Sequence, residues 1–83
     1  MGRLQELAAT AERTANEIED LLLQYPTEKL RLSVLKSRLR TARLIIELTT
    51  MLTTSDPYGG KSLLADEMAR IGKLLEEIKT ENR

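Results

Sequence analysis

Two prolines, Pro26 and Pro57, are the only ones in the chain, and on either side of each the apolar residues recur at alternating steps of three and four. That spacing is the period of an α-helix, where residues three and four apart share a face. Proline lacks a backbone N–H and disfavours the α conformation in the residue before it, so each one marks a break. The sequence therefore predicts three helices, over about 3–24, 28–54 and 62–81, with turns near 24–27 and 55–61. The expected fold is all-α, a single helical domain spanning 1–83. It is a three-helix bundle, or a helical hairpin plus a third helix.

In the first stretch Leu4, Leu7, Ala11, Thr14, Ile18, Leu21 and Tyr25 form one stripe, which Ala8, Ala15 and Leu22 widen. The stripe is small in the middle and large towards Tyr25, and the alanines allow a neighbour to approach closely. Glu6, Arg13, Glu17 and Asp20 are assigned to the outer face. After Pro26, Thr27 is positioned to cap the next helix with Glu28 in its first turn. So short a connection predicts an antiparallel hairpin.

The second stretch carries two apolar faces rather than one. Leu32, Leu35, Leu39, Ala42 and Ile46 make the first. Leu30, Val34, Ile45, Leu48 and Leu52 make the second, joined by Met51. Arg31 and Arg38 separate the two on one side, and Lys29, Lys36, Arg40 and Arg43 form a basic ridge on the other. A helix with two apolar faces touches two partners: the first helix, and either the third helix or another copy of the chain. The segment LIIELTTMLTT is rich in β-branched residues, but a lone strand has no pairing partner here and the helical period runs through it. The third stretch repeats Leu64, Met68, Ile71, Leu75 and Ile78. Asp66–Arg70 and Lys73–Glu77 are candidate pairs four residues apart, and Gly72 is a candidate close contact.

A chain of 83 residues buries little surface for its size and needs reinforcement. With no cysteine and no histidine, disulfides, thiolate metal sites and the commonest general base are absent. No cofactor is implied, and self-association is the remaining device. Tyr25 and Tyr58 are the only aromatics, so the core is aliphatic. No stretch reads as a signal peptide or membrane span, and cysteine-free composition fits a reducing, cytoplasmic setting.

The net charge is zero, but the charge is segregated. Residues 1–25 hold two basic and five acidic residues, 26–54 six and two, and 55–83 five and six. The basic middle either pairs with its acidic neighbours within the bundle or meets an anionic partner; intramolecular pairing is the preferred reading.

Residues 55–62, SDPYGGKS, resemble the end of a phosphate-binding loop. The full motif is G-x-x-x-x-G-K-[ST] after a strand. Here Gly60, Lys61 and Ser62 match, but Ser55 stands where the first glycine belongs, and a helix precedes. A type I turn through Asp56-Pro57-Tyr58-Gly59, with Ser62 capping the third helix, accounts for the same residues. The free N–H groups of a helix start beside Lys61 still offer a place for an anion. Adjacent acids such as Glu19-Asp20 and Glu76-Glu77 point in different directions and read as surface charge. Serines and threonines have no histidine to activate them. Electrostatic catalysis would fall to Arg31 and Arg38, and the chain is read as a non-enzyme. For nucleic acid the basic ridge offers phosphate contacts but no interleaved aromatic for stacking.

The strings EDLLL at 19–23, LRTAR at 39–43 and DPY at 56–58 are weakly similar to small helical co-chaperones of type III secretion needle subunits. Those are compact helical hairpins that hold a partner chaperone. The resemblance covers about half the chain and carries no functional residue across.

The reading of the residues is a small non-enzymatic protein-interaction module, an adaptor, chaperone-like subunit or inhibitor, that self-associates and binds a macromolecular partner. Its interface is expected at Ile45, Leu48, Met51 and Leu52. The alternative is an anion-binding module for nucleic acid or a nucleotide, using Lys29, Lys36, Arg40, Arg43 and Lys61.

Overall fold

Tyr25 precedes Pro26 and takes a non-helical backbone, φ −127° and ψ 74°, in keeping with the bar on the α conformation before a proline. In the computed structural model, which describes residues 3–52 and 60–83, this ends α1 (Arg3–Gln24). A single 3₁₀ turn, Pro26–Glu28, then leads directly into α2 (Lys29–Leu52). The third helix, α3, spans Gly60–Glu81. There is no strand among the described residues, so LIIELTTML is helical as far as it is described. Its threonines settle into the helix by returning their hydroxyls to the preceding turn: Thr49 Oγ1 donates to the Ile45 carbonyl and Thr50 Oγ1 to the Ile46 carbonyl, each at 2.8 Å.

The corner between α1 and α2 differs from expectation. Thr27 sits inside the 3₁₀ turn and caps nothing. The turn closes through backbone bonds instead, with the Glu28 N–H donating to the Tyr25 carbonyl at 2.9 Å and Pro26 holding the first φ. The third helix also starts earlier than position 62. Ser62 has helical backbone and so is not its cap, which requires a non-helical conformation. The expected turn at Asp56-Pro57-Tyr58-Gly59, and Thr53 and Thr54, lie outside the described residues. So do the side chains of Leu52, Lys61 and Ser62.

Ion pairs give the direction of each helix. Glu19 of α1 meets Lys36 of α2, while Arg38 and Arg31 of α2 meet Glu67 and Glu81 of α3. Along the pairs with α3 the numbering rises on one helix as it falls on the other, so α2 runs antiparallel to α3. The one-turn corner makes it antiparallel to α1 as well. The bundle is therefore up-down-up, in a rod of 42 × 19 × 17 Å.

The core is aliphatic. Leu7, Ala11, Ile18 and Leu21 come from α1, Leu32, Leu35, Leu39, Ala42 and Ile46 from α2, and Leu64, Met68, Ile71, Leu75 and Ile78 from α3. Among the described residues no polar side chain is buried with them. Thus the first face of α2 and the stripe of α3 are buried as a whole, while Leu4, Thr14 and Tyr25 of α1 are half-buried. Ala8 is exposed and does not widen the α1 stripe. Glu17, assigned to the outside, turns towards α3 and accepts from Lys79 at 2.6 Å. Gly72 marks no close contact: a methyl group added there meets nothing within 4 Å. Neither Asp66–Arg70 nor Lys73–Glu77 forms an ion pair; Glu67, Glu76 and Glu81 are the α3 acids engaged instead.

Candidate functional site

The second apolar face of α2 points away from the bundle. A helix in a three-helix bundle has one stripe directed at the common axis, and Leu32 through Ile46 fill it for both neighbours at once. Residues half a turn away are left in water. Leu30, Val34, Leu44, Ile45, Leu48 and Met51 are all exposed, from 45% at Ile45 to 80% at Leu30. Of the expected interface residues, Ile45, Leu48 and Met51 thus lie on one outward surface; Leu52 ends the same helix, its side chain outside the described residues. At about 1.5 Å per residue the stripe from Leu30 to Met51 extends roughly 30 Å.

Two shallow apolar grooves border the stripe on its α3 side. One, of about 400 Å³, lies among Thr41, Ala42, Ile45, Leu63 and Leu64. The other, of about 350 Å³, lies among Leu30, Val34, Leu35, Leu74 and Ile78. Between them Arg38 reaches across to Glu67, Nε donating to Oε2 at 3.0 Å and Nη2 to Oε1 at 2.8 Å. This two-pronged pair is the strong form of a carboxylate contact. The hydrogen bonds from Arg38 hold the Glu67 carboxyl below the usual carboxylate range, and Arg38 itself is raised. Periodicity and spacing alone do not single out Glu67, Leu63 or Leu74. Each stands next to a core position, Leu64, Met68 or Leu75, and that adjacency is the signal that places them at a helix boundary.

The remaining ion pairs seal the other seams. Lys79 bridges Glu17 on α1 and Glu76 on its own helix, and the hydrogen bonds it donates to both carboxylates raise its pKa. At one end of the rod Asn82 Nδ2 donates to Glu28 Oε2 at 2.8 Å, and Arg31 donates to Glu28 and Glu81. Arg31 is raised by its hydrogen bond to Glu81. Arg31, Lys36 and Arg38 therefore meet acids from the flanking segments. Both arginines considered for electrostatic catalysis have carboxylate partners.

No protein-family model, curated protein or solved structure matches this chain.

The basic ridge is only partly assembled. Lys36, Arg40 and Arg43 line a groove of about 630 Å³ between α1 and α2, together with Glu19 and Glu47. Glu19 lies 2.7 Å from Lys36 and compensates it. Lys29 does not line that groove, and Lys61 is in the first turn of another helix. Lys29, Arg40 and Arg43 form no ion pair among the described residues. Among the described residues no three acidic side chains gather as metal ligands, and no helix is long and apolar enough to cross a membrane.

Proposed function

We propose that this chain is a non-enzymatic interaction module, an adaptor, chaperone-like subunit or inhibitor. It self-associates and holds a macromolecular partner through the outward face of α2. One observation carries the reading: large aliphatic side chains in two groups on one face of α2, Leu30 with Val34 and Leu44, Ile45, Leu48 with Met51, stand in water on a bundle whose core is already closed without them. Contiguous apolar patches of this kind mark interaction surfaces, and each large side chain left exposed forgoes about 1.5–3 kcal/mol of burial. A cytosolic setting fits the cysteine-free composition.

The alternative, an anion-binding module, draws on Lys29, Arg40 and Arg43, which have no acidic partner among the described residues. Affinity capture in rising salt separates the two. A partner held through the apolar face survives high salt and is lost with Leu48→Glu. A nucleic acid held by the ridge dissociates steeply with salt and is indifferent to Leu48→Glu. For a nucleotide, calorimetric titration with ATP and magnesium gives no saturable heat with the wild-type chain or with Lys61→Ala. Micromolar binding abolished by Lys61→Ala would establish the alternative.

A further inference from the structure

The outward residues of α2 follow a strict heptad. Leu30, Val34, Ser37, Thr41, Leu44 and Leu48 are spaced four, three, four, three, four, and Met51 follows three residues later. All seven are exposed. This is the spacing of a two-stranded coiled-coil seam, and from Leu30 to Leu48 its order is large, large, hydroxyl, hydroxyl, large, large. That order reads alike from either end. When two such helices run antiparallel and are centred between Ser37 and Thr41, large side chains meet large ones and hydroxyls meet hydroxyls.

We propose that two copies of the chain pair through α2 in this antiparallel, two-fold arrangement. Val34 lies opposite the partner's Leu44, Leu30 opposite the partner's Leu48, and Ser37 opposite the partner's Thr41. The proposal rests on the reading of the outward α2 face as an interface and adds its occupant and register. Shifting the pairing by one heptad sets Thr41 against the partner's Leu44 and Ser37 against the partner's Leu48, desolvating hydroxyls against leucine without new hydrogen bonds. The Thr41 hydroxyl donates to the Ser37 carbonyl of its own helix at 3.2 Å in any register, so the cost of the shift falls on Ser37.

Charge selects the antiparallel sense. The seven seam positions are uncharged, but α2 as a whole carries six basic residues, all between Lys29 and Arg43, and one acid, Glu47. Parallel pairing would superimpose the two basic halves along their full length. Antiparallel pairing moves Lys29 and Arg31 of each copy to the end where the partner's Glu47 lies. The helix dipoles also oppose each other in this sense. Arg38 and Arg40 flank the centre of the seam in either sense; Arg38 already has Glu67 of its own chain, and Arg40 is exposed to water.

The chain contains no cysteine, so single thiols report the register cleanly. Chains carrying Ser37→Cys are mixed with chains carrying Thr41→Cys and treated with a short thiol cross-linker. Sedimentation equilibrium and circular dichroism are run on the same samples. The expected result is a folded dimer in which the mixture cross-links at least ten-fold more efficiently than either variant alone. Efficient cross-linking of each variant with itself means parallel pairing and overturns the proposal. So does a dimer that cross-links in none of the samples, which would pair through another face. Parallel pairing leaves the interface reading of the preceding section intact, whereas pairing through another face removes self-association from the outward face of α2. A monomer overturns both the pairing and the self-association on which it rests.

Discussion

Gly72 is half-buried in the middle of α3, with open space where a side chain would begin. Nothing there requires a glycine, so its cost is the backbone freedom it loses on folding. Gly72→Ala is expected to stabilise the fold by about 1 kcal/mol, read from denaturant unfolding. Glu67 is the opposite case, a polar side chain whose position matters. Because Arg38 lowers its carboxyl, the pair contributes stability that is fully present above the ordinary carboxylate range near pH ~4.3. That contribution is lost as pH falls through the lowered folded value, where the carboxylate is protonated. Glu67→Gln should cost about 0.5–1 kcal/mol at neutral pH and should flatten the loss of thermal stability on acidification. A residual slope remains, because hydrogen bonding to Lys79 lowers Glu76 too. Residues of this kind were the least legible in the sequence. Glu67 and Glu76 each stand beside an acid that forms no ion pair, and four-residue spacing alone favoured Asp66–Arg70 and Lys73–Glu77 over the pairs that form.

Elements were legible wherever one face is buried. The α3 stripe and the first face of α2 were readable residue by residue, because period and burial coincide there. The second face of α2 was readable as a face, but its direction was not. Sequence periodicity gives angles around one helix and says nothing about how many neighbours share a stripe. In the bundle α1 and α3 meet the same stripe of α2, and so the second face is left outward. The helix starts were misread at Thr27 and Ser62 for a different reason. Capping is one of several ways to satisfy the first N–H groups, and a proline-led 3₁₀ turn does so with backbone alone at the α1–α2 corner. At the level of α2 the two faces predict opposite behaviours. Leu39→Ala, deep in the core at 2% exposure, should destabilise the fold by about 2–5 kcal/mol, a large part of what a domain of this size holds. Leu48→Glu on the outward face should leave the unfolding midpoint of the isolated chain nearly unchanged and weaken association instead. Arg40→Glu on the ridge should leave that association in place.

The molecule as a whole is a narrow rod with an aliphatic core, no buried polar side chain among the described residues, and ion pairs along all three seams. Those pairs answer the charge segregation of the sequence: much of the basic middle segment meets acids of its neighbours, which is what a bundle assembled from α1, α2 and α3 does with unlike charges. The pairs exposed to water add little stability each, so the burden falls on a core that is small for an independent domain. Pairing two rods through α2 would enlarge the buried apolar surface where it is most exposed. Sedimentation equilibrium of the wild-type chain at micromolar concentration, beside Ile45→Glu, tests this most directly. The expected mass is twice that of the 9.4 kDa chain for the wild type and a single chain for Ile45→Glu, with helical content unchanged. A wild-type chain that sediments as a clean monomer across that range would contradict self-association and leave the outward face of α2 to a different protein.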